Sequence, residues 1–502
     1  MSILGNAVVR REDPGFLTGS AAYVDDLLPE NALYLAYVRS PYAHARITAV
    51  DVDEAVAAPG VAGVFTGVDV AVMGLAPNVL PMFPDAMKRP YVAADVVRYA
   101  GQPVVAVVAE TQAQAVDAAE LVIVDYEPLA PVIDPETAVR DEVLIFGNHG
   151  TNILSHMESP TAADFSECKV VVSERIVNQR LTAAPIEGRT GIAYWTHDGR
   201  LVHYSAVQGA HPTRDLLANI YGLAPANVRV VVPDVGGGFG AYPLIAGVLA
   251  GMTQRMATGT YDLTNVGFSA DVVVTNTVPL TAYRGAGRPE AAAELLEAAV
   301  DDIVLDTEGG VFHVVGTPTR TASWTQVATA FPDGVEESAD FTAPQGTFPN
   351  DAHVAVVEVD PETGGTTLVR LVAADDAGTL IDPLLAEGHV HGGIAQGVAQ
   401  ALLEGIQYDD DGNLLTGNFM DYLVISAAEL PSFEVVHIET PTWVNELGAK
   451  GVGESGTIGA IPAVYNAVVD AVSHLGVRHL TTPITPQQLC EAIAASRIER
   501  SP

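Results

Sequence analysis

Apolar and polar positions along the first third of the chain change period several times, and each change marks an element. The run LYLAYVRSPYAHARITAVDV, residues 33–52, alternates in part and ends at an acidic turn, which predicts a half-buried strand or hairpin, and DEAVAAPGV predicts a helix after it. GQPVVAVVAE, residues 101–110, is continuously apolar and predicts a buried strand. TQAQAVDAAELV then predicts an alanine-rich helix with Thr111 as its N-cap, and VIVDYEPL returns as a strand, a βαβ-like order. Polar, turn-rich residues 148–166 have the composition of a linker.

Alternation resumes in KVVVSERIVNQR and in GIAYWTHDGRLVHYSAVQ, where Asp198-Gly199 supplies a turn. A helix over residues 212–221 and a strand in NVRVVVPDV follow. AAAELLEAAVDDIV predicts a helix, and DAHVAVVEVDPETGGTTLVRLVAADDAG a hairpin turning at residues 361–365. HGGIAQGVAQALLEG and IPAVYNAVVDAVSHLG predict two small-residue helices. Strands and helices in this order predict an α+β protein with mixed sheets and no internal repeat.

Charge narrows the function. The 502 residues include 24 basic and 62 acidic side chains, a net charge of −38, which disfavours nucleic acid as a partner. With 48% hydrophobic and 17% charged residues the chain can build sizeable cores. No apolar run is long enough to cross a bilayer, and a cytoplasmic location is expected. Cys168 and Cys490 are the only cysteines, so the chain carries no iron–sulfur centre of its own. His389 and His391 alternate as on a strand and form no zinc motif, so no metal ligated by side chains is expected.

Three glycine-framed stretches could carry chemistry. In VGGGFGA, residues 235–241, glycines let backbone N–H groups approach a ligand. A loose GxGxxA with Asp262 about twenty residues on also fits a dinucleotide site, and a tight turn needs the same small residues. AYRGAGRPEA places Arg284 and Arg288 beside glycines, and LGAKGVGESGTIGA places Glu454 between glycines just ahead of an apolar helix. Each of these, taken alone, also reads as a glycine turn with a solvated charge.

Taken together and in order, these motifs resemble the large, molybdenum-binding subunit of the xanthine dehydrogenase, aldehyde oxidase and carbon monoxide dehydrogenase family. RREDPGFLTGSAAYVDDL, RSPYAHARI and the stretch from Gly101 to Leu129 resemble its N-terminal hammerhead domain. APIEGR, VQGAHPTR, PDVGGGFG, AYRGAGRPEA, VEVDPETG, HGGIAQGVAQALLE and GAKGVGESGTIGA resemble successive pieces of its cofactor domains. The resemblance implies an α/β-hammerhead domain over residues 1–140, a linker over 141–165, and abbreviated molybdopterin-binding α+β parts over 166–290 and 291–502.

The resemblance also implies hydroxylation of an aldehyde or N-heterocycle by a molybdopterin cofactor, with water as the oxygen source. Glu454 then matches the base that takes a proton. Gln208, the backbone of Gly237, Gly238, Phe239 and Gly240, Arg284 and Gly453 match cofactor contacts. Glu187, in PIEGR, reads as a supporting carboxylate beside them or as one satisfied elsewhere. Gly285 stands where copper-dependent CO oxidisers carry a cysteine, which disfavours that reaction. Electrons would leave through a separate [2Fe–2S] subunit and an FAD subunit of a hetero-oligomer.

The chain departs from the family pattern by internal shortening. AYRGAGRPEA passes straight into AAELLEAAVDDIV, so a GQG loop and a serine-rich pterin-binding turn are absent. The usual Gly-Gln before the double glycine reads Gly388-His389. A cofactor-free pseudoenzyme or assembly subunit is therefore an alternative, and an NAD-dependent dehydrogenase a weaker one.

Overall fold

A computed structural model describes residues 4–71, 84–159, 163–239, 266–278, 303–306, 311–314, 317–323 and 346–499. The chain divides into two units. One comprises Pro14–Arg284 and Gly405–Leu423; the other comprises Met1–Asp13, Gly285–Glu404 and Val424–Pro502.

In the first unit the buried strand expected at residues 101–110 organises everything near it. Strand β1 (Tyr34–Arg39), β2 (Ala45–Asp51), β3 (Val61–Thr66), β4 (Val96–Val97), β5 (Pro103–Ala109) and β6 (Ile123–Pro128) form two antiparallel sheets, ordered β1-β5-β3 and β4-β2-β6. Val104, Val105 and Val107 of β5 are fully buried, each contributing about 1.5–3 kcal/mol of burial. Helix α1 (Gln112–Glu120) packs beside them, and the Thr111 hydroxyl accepts a hydrogen bond from Gln114 N as its cap.

Two sequence expectations change here. β1 and β2 are consecutive without being a hairpin, because β1 pairs with β5 and β2 with β4 and β6. The intervening SPYAH is a crossing buried at Ser40, Ala43 and His44: Ser40 N donates to Gln102 O, and the His44 ring meets Ala130 O at 2.7 Å. Likewise β5-α1-β6 is no parallel βαβ unit, since its strands lie in different antiparallel sheets.

Residues 141–165, expected as a linker, contain β7 (Ile153–Glu158) and a buried Asn152. Asn152 donates to Ala138 O and Val143 O and accepts from Ile145 N. Its polarity serves an internal knot rather than solvent. Beyond it, β8 (Gly191–Trp195) and β9 (Leu201–Ser205) form the expected hairpin, with Gly199 at φ +83° in the turn. Helix α2 (Ala210–Tyr221) leads to β10 (Val228–Val231), which pairs parallel to β9, and β11 (Ser269–Val273) pairs with β7.

KVVVSERIVNQR does not form the strand its alternation predicts. Val170, Val172 and Ile176 stay exposed on a segment that joins no sheet among the described residues. A strand needs a free edge to pair with, and alternation does not specify one.

The second unit contains β12 (Ile303–Asp306), β13 (Val311–Val314) and β14 (Thr317–Ser323) in one antiparallel sheet. Ile303 and Val304, the end of the expected helix AAAELLEAAVDDIV, belong to β12, and the rest of that helix lies outside the described residues. The second sheet pairs β15 (Asn350–Val359) with β16 (Thr366–Asp376) as the expected hairpin, and β17 (Glu434–His437) joins β16 in parallel.

Three helices complete the unit: α3 (Pro383–Leu402), α4 (Ser455–Ser473) and α5 (Pro486–Glu499). The core gathers Leu371, Ala373, Val390, Ile394, Val398, Ala460, Val464 and Val468 between sheet and helices. His389 and His391 lie on α3, not on a strand. Asp382 caps that helix through a hydrogen bond from Leu384 N, Pro383 follows at its start, and Ala386, Val390, Ile394, Val398 and Leu402, every fourth residue, make the buried stripe beside Gly393 and Gly397. Among the described residues no helix is long and apolar enough to cross a membrane.

Candidate active site

In the first unit, β10 delivers the chain into the glycine run at Val235, and hydrogen bonds from two other segments hold the run. Asp234 N donates to Ala22 O, and Asp234 Oδ2 accepts from Ala22 N at 2.9 Å. Glu187 Oε2 accepts from Gly236 N at 2.7 Å, while Glu187 N donates back to Gly236 O. Oε1 of the same carboxylate accepts from Val24 N at 3.4 Å. Glu187 is thus the brace of this loop, the supporting one of its two sequence readings.

The loop then turns tightly, with Gly237 at φ +123° and Phe239 at φ +48°. A β-carbon on Gly238 would lie 2.6 Å from the Gln208 side chain. Gly238 is therefore glycine because Gln208 lies against it, and not because of an unusual φ. Among the described residues the N–H groups of Gly237 and Gly238 have no acceptor, so the pair remains able to donate to a bound anion or oxygen. Gln208, Gly237, Gly238 and Phe239 are thus brought together. Gly240, Ala241, Asp262, Arg284 and Arg288 lie outside the described residues.

In the second unit, Glu454 is the N-cap residue of α4. Its carbonyl accepts from Thr457 N and Ile458 N, both at 3.0 Å, but its carboxylate makes no capping bond. The side chain is half-buried, and burial raises its pKa above the ordinary glutamate value. A carboxylate left uncommitted and partly dry is suited to taking a proton. Gly453 precedes it directly.

The turn carrying Glu454 is fixed from behind by the crossing of α3 and α4. A β-carbon on Gly456 would sit 2.5 Å from Val390 O, and the Thr457 hydroxyl donates to Gly393 O at 2.9 Å. Ahead of it, Lys450 N donates to Ala377 O, Thr379 N donates to Gly448 O, and Lys450 Nζ lies 3.1 Å from Asp376 Oδ2. Asp376 was not picked out from the sequence. The available signal was an acidic pair, Asp375-Asp376, closing an otherwise apolar strand.

His389, standing where the family pattern has glutamine, is exposed, and its Nδ1 contacts Leu385 O of its own helix. Among the described residues no cluster of His, Cys, Asp or Glu could hold a metal ion.

Three stretches match known domains. Residues 18–130 match the a/b hammerhead domain of aldehyde oxidase and xanthine dehydrogenase, and residues 145–244 and 258–431 each match a molybdopterin cofactor-binding domain. The chain is 25% identical to the nicotine 6-hydroxylase large subunit of Paenarthrobacter nicotinovorans, over 98% of this chain and 94% of that one. That alignment runs over 773 positions against 502 residues here, so at least 773 − 502 = 271 positions have no counterpart in this chain. It is 34% identical to the carbon monoxide dehydrogenase large chain of Hydrogenophaga pseudoflava over 47% of this chain and 30% of that one. Its fold is similar to quinoline 2-oxidoreductase of Pseudomonas putida 86, with a TM-score of 0.89 at 23% identity over 98% of both chains.

Proposed function

Because the chain belongs to the xanthine dehydrogenase, aldehyde oxidase and carbon monoxide dehydrogenase family of molybdopterin-binding large subunits, we propose that it hydroxylates an aldehyde or an N-heterocycle, with Glu454 as the base. The observation that carries this reading is the uncommitted, half-buried carboxylate at the start of α4. Substrates named for its relatives, nicotine and quinoline, are both N-heterocycles and are the first to try.

The residues present fit the cofactor, since the paired N–H groups of Gly237 and Gly238 offer donors and Gln208 lies against them. Gln208 and the backbone of Gly237, Gly238, Phe239 and Gly240 would hold it, joined by Arg284 and Gly453. When bound, molybdopterin supplies a two-electron oxidant for the C–H bond that is hydroxylated, with water as the oxygen source. Conversion of R–H and water to R–OH releases two electrons and two protons, and Glu454 accepts one of those protons at its carboxylate. Its raised pKa strengthens it as a base.

The relatives are named as subunits of complexes, and this reading places the chain in a hetero-oligomer. A [2Fe–2S] subunit and an FAD subunit would carry the electrons away, since no cluster-binding cysteines are available: Cys168 and Cys490 are both free. Free thiols also accord with a cytoplasmic location. A cofactor-free assembly subunit is the second reading, favoured by the 271 or more missing positions.

One experiment separates the two readings. The chain is co-expressed with the adjacent-gene subunits, its molybdenum is measured, and nicotine and quinoline are offered in 18O-water with a dye acceptor. Near-stoichiometric metal with label in the product supports the hydroxylase. Metal-free protein that still assembles with its partners supports the other.

A further inference from the structure

Basic side chains are scarce here, 24 against 62 acidic ones, so an arginine drawn partly out of water has many acids to pair with. Two half-buried arginines of the first unit take none. Arg98 Nε donates to Ile145 O at 3.2 Å and Nη1 to Val96 O at 3.0 Å, and its guanidinium lies 4.6 Å from the centre of the Phe146 ring. These contacts fix the plane of the group without neutralising it. Among the described residues no carboxylate comes within 4.0 Å of it, and Nη2 has no acceptor. Arg89 Nη1 is buried without any partner, and its guanidinium lies 5.5 Å from the Tyr99 ring. Burial lowers the pKa of both arginines, and the charge of Arg98 adds to the effect on Arg89.

Arg98 lines a cleft of about 450 Å³ together with His44, Arg46, Asp95, Phe146 and Asn148, a volume within the range of small-molecule sites. His44 is 6% exposed, and its Nδ1 meets Ala130 O at 2.7 Å. A carbonyl only accepts, so Nδ1 carries the hydrogen and Nε2 keeps its lone pair. Burial pulls the pKa of this ring down, the bond to Ala130 O opposes it, and the charge of Arg98 adds to burial. Asp95 is the one acid on the lining; it is exposed, and its Oδ1 accepts from Val96 N at 2.7 Å. Arg46 is exposed too, with Glu127 Oε2 3.5 Å from its Nε.

We propose that this cleft binds a small oxyanion, a phosphate or carboxylate group seated on Arg98 with His44 and Asn148 beside it. The site does not depend on the reading of Glu454. A guanidinium that is already oriented offers an oxyanion charge and direction together. The bound anion also sets a negative charge against His44 and so offsets the effect of Arg98 on the ring. His44 then gains a proton at Nε2, and by linkage the anion binds more tightly as pH falls. Arg46, Arg98 and Asp95 are the other charged groups on the lining, and the imidazole is the one suited to change charge near neutrality.

The test titrates sodium sulfate and, separately, sodium benzoate into the purified full chain by calorimetry, between about pH 6 and 8. Ionic strength is held constant, because salt screens such contacts. Both probes keep their charge over that range, so a change of affinity with pH belongs to the protein. Saturable binding of one probe with a Kd of about 1 mM or tighter is expected, with proton uptake seen as a dependence of the heat on the buffer. Sulfate binding identifies a phosphate-like ligand and benzoate binding a carboxylate. His44→Gln can still donate to Ala130 O and is expected to abolish the proton uptake. Arg98→Lys keeps the charge but not the fork and is expected to weaken binding about tenfold or more. Arg175→Gln, which removes an exposed charge paired with Glu136, is expected to bind as the wild type does. Absence of saturable binding of either probe overturns the proposal. So does wild-type affinity in both His44→Gln and Arg98→Lys, which would mean an anion held elsewhere. Proton uptake that persists in His44→Gln overturns it as well, and that measurement does not require Arg98→Lys to fold.

Discussion

Two glycine loops, one in each unit, look alike in sequence and are built in opposite ways. Gly236–Phe239 is closed from within, because side chains fill the space that β-carbons would take: Glu187 lies against Gly236 and Gln208 against Gly238. The second loop, Gly448–Gly456, is closed at Gly456 from outside, because main chain presses on it: Val390 O, Ile394 N and the Gly393 backbone lie where its β-carbon would be, while Gly448 lies against the side chains of Pro441 and Thr379. Among the described residues the first loop leaves the amides of Gly237 and Gly238 without an acceptor, and the second leaves the Glu454 carboxylate without a capping bond. Glycine density alone therefore does not say whether a loop offers protons or takes them.

The comparison is broken most severely at the base. Glu454→Gln preserves shape and removes the proton acceptor, so kcat is expected to fall by about 10² or more with cofactor content and urea midpoint unchanged. In the wild type, burial raises the Glu454 pKa, so activity is expected to decline toward acid from a pH above the ordinary glutamate range. Retained turnover in the variant would remove the second loop's chemical role.

Packing comes next. Gly456→Val puts a branched side chain where Val390 O and the backbone of Gly393 and Ile394 already lie, and overpacking of this kind costs about 1–3 kcal/mol. A urea titration reads it directly, and an unchanged midpoint would show that α3 and α4 can part without cost. Gly238→Val should act on the other loop: by displacing Gln208 it is expected to lower bound molybdenum about tenfold, equivalent to about 1.4 kcal/mol, while leaving the unfolding of the second unit alone. Full metal content in that variant would exclude the first loop from the cofactor site.

The smallest expected effect is a pH slope beneath α4. Burial, with Asp375 adding to it, pushes the Asp351 carboxyl up to about 6, and burial pulls the neighbouring His353 ring down to about 4. A raised carboxyl gives stability that is complete below its unfolded value and lost as pH rises through 6. A depressed imidazole gives stability that is present above its unfolded value and lost as pH falls through 4. Between pH 4 and 6 the fold holds both groups neutral where the unfolded chain ionises both, so each contribution is partly lost in that window. The two slopes oppose each other, so Asp351→Asn is expected to uncover the His353 slope, with stability rising with pH between about 4 and 6, and a profile identical to wild type would contradict this assignment.

What could be read in the sequence was what depends on near neighbours or on continuous burial. β5, the cap at Thr111, the Asp198-Gly199 hairpin, the β15–β16 hairpin and the two small-residue helices each follow from a local pattern. Errors arose where a partner decides. Alternation in KVVVSERIVNQR met no strand edge, β1 and β2 were adjacent in sequence but claimed by different sheets, and the spacing of His389 and His391 carried no information once Asp382 had started a helix. At the candidate site, Glu454, Gln208 and the glycines stood out as motifs. Asp376 did not, because its significance lies in Lys450, 74 residues away.

The seating of α4 on α3 bears on how such a chain can diversify. Among the described residues, the turn of Glu454 is held by residues 375–386, 390–397 and 440–460 together with Thr347, whose hydroxyl accepts from Gly451 N, all within one unit. Substitutions elsewhere in the chain do not remove the groups that make those contacts. Selection can therefore rework other parts of the chain, or tolerate the loss of long internal segments, while the seat of Glu454 on α3 is inherited as a finished module.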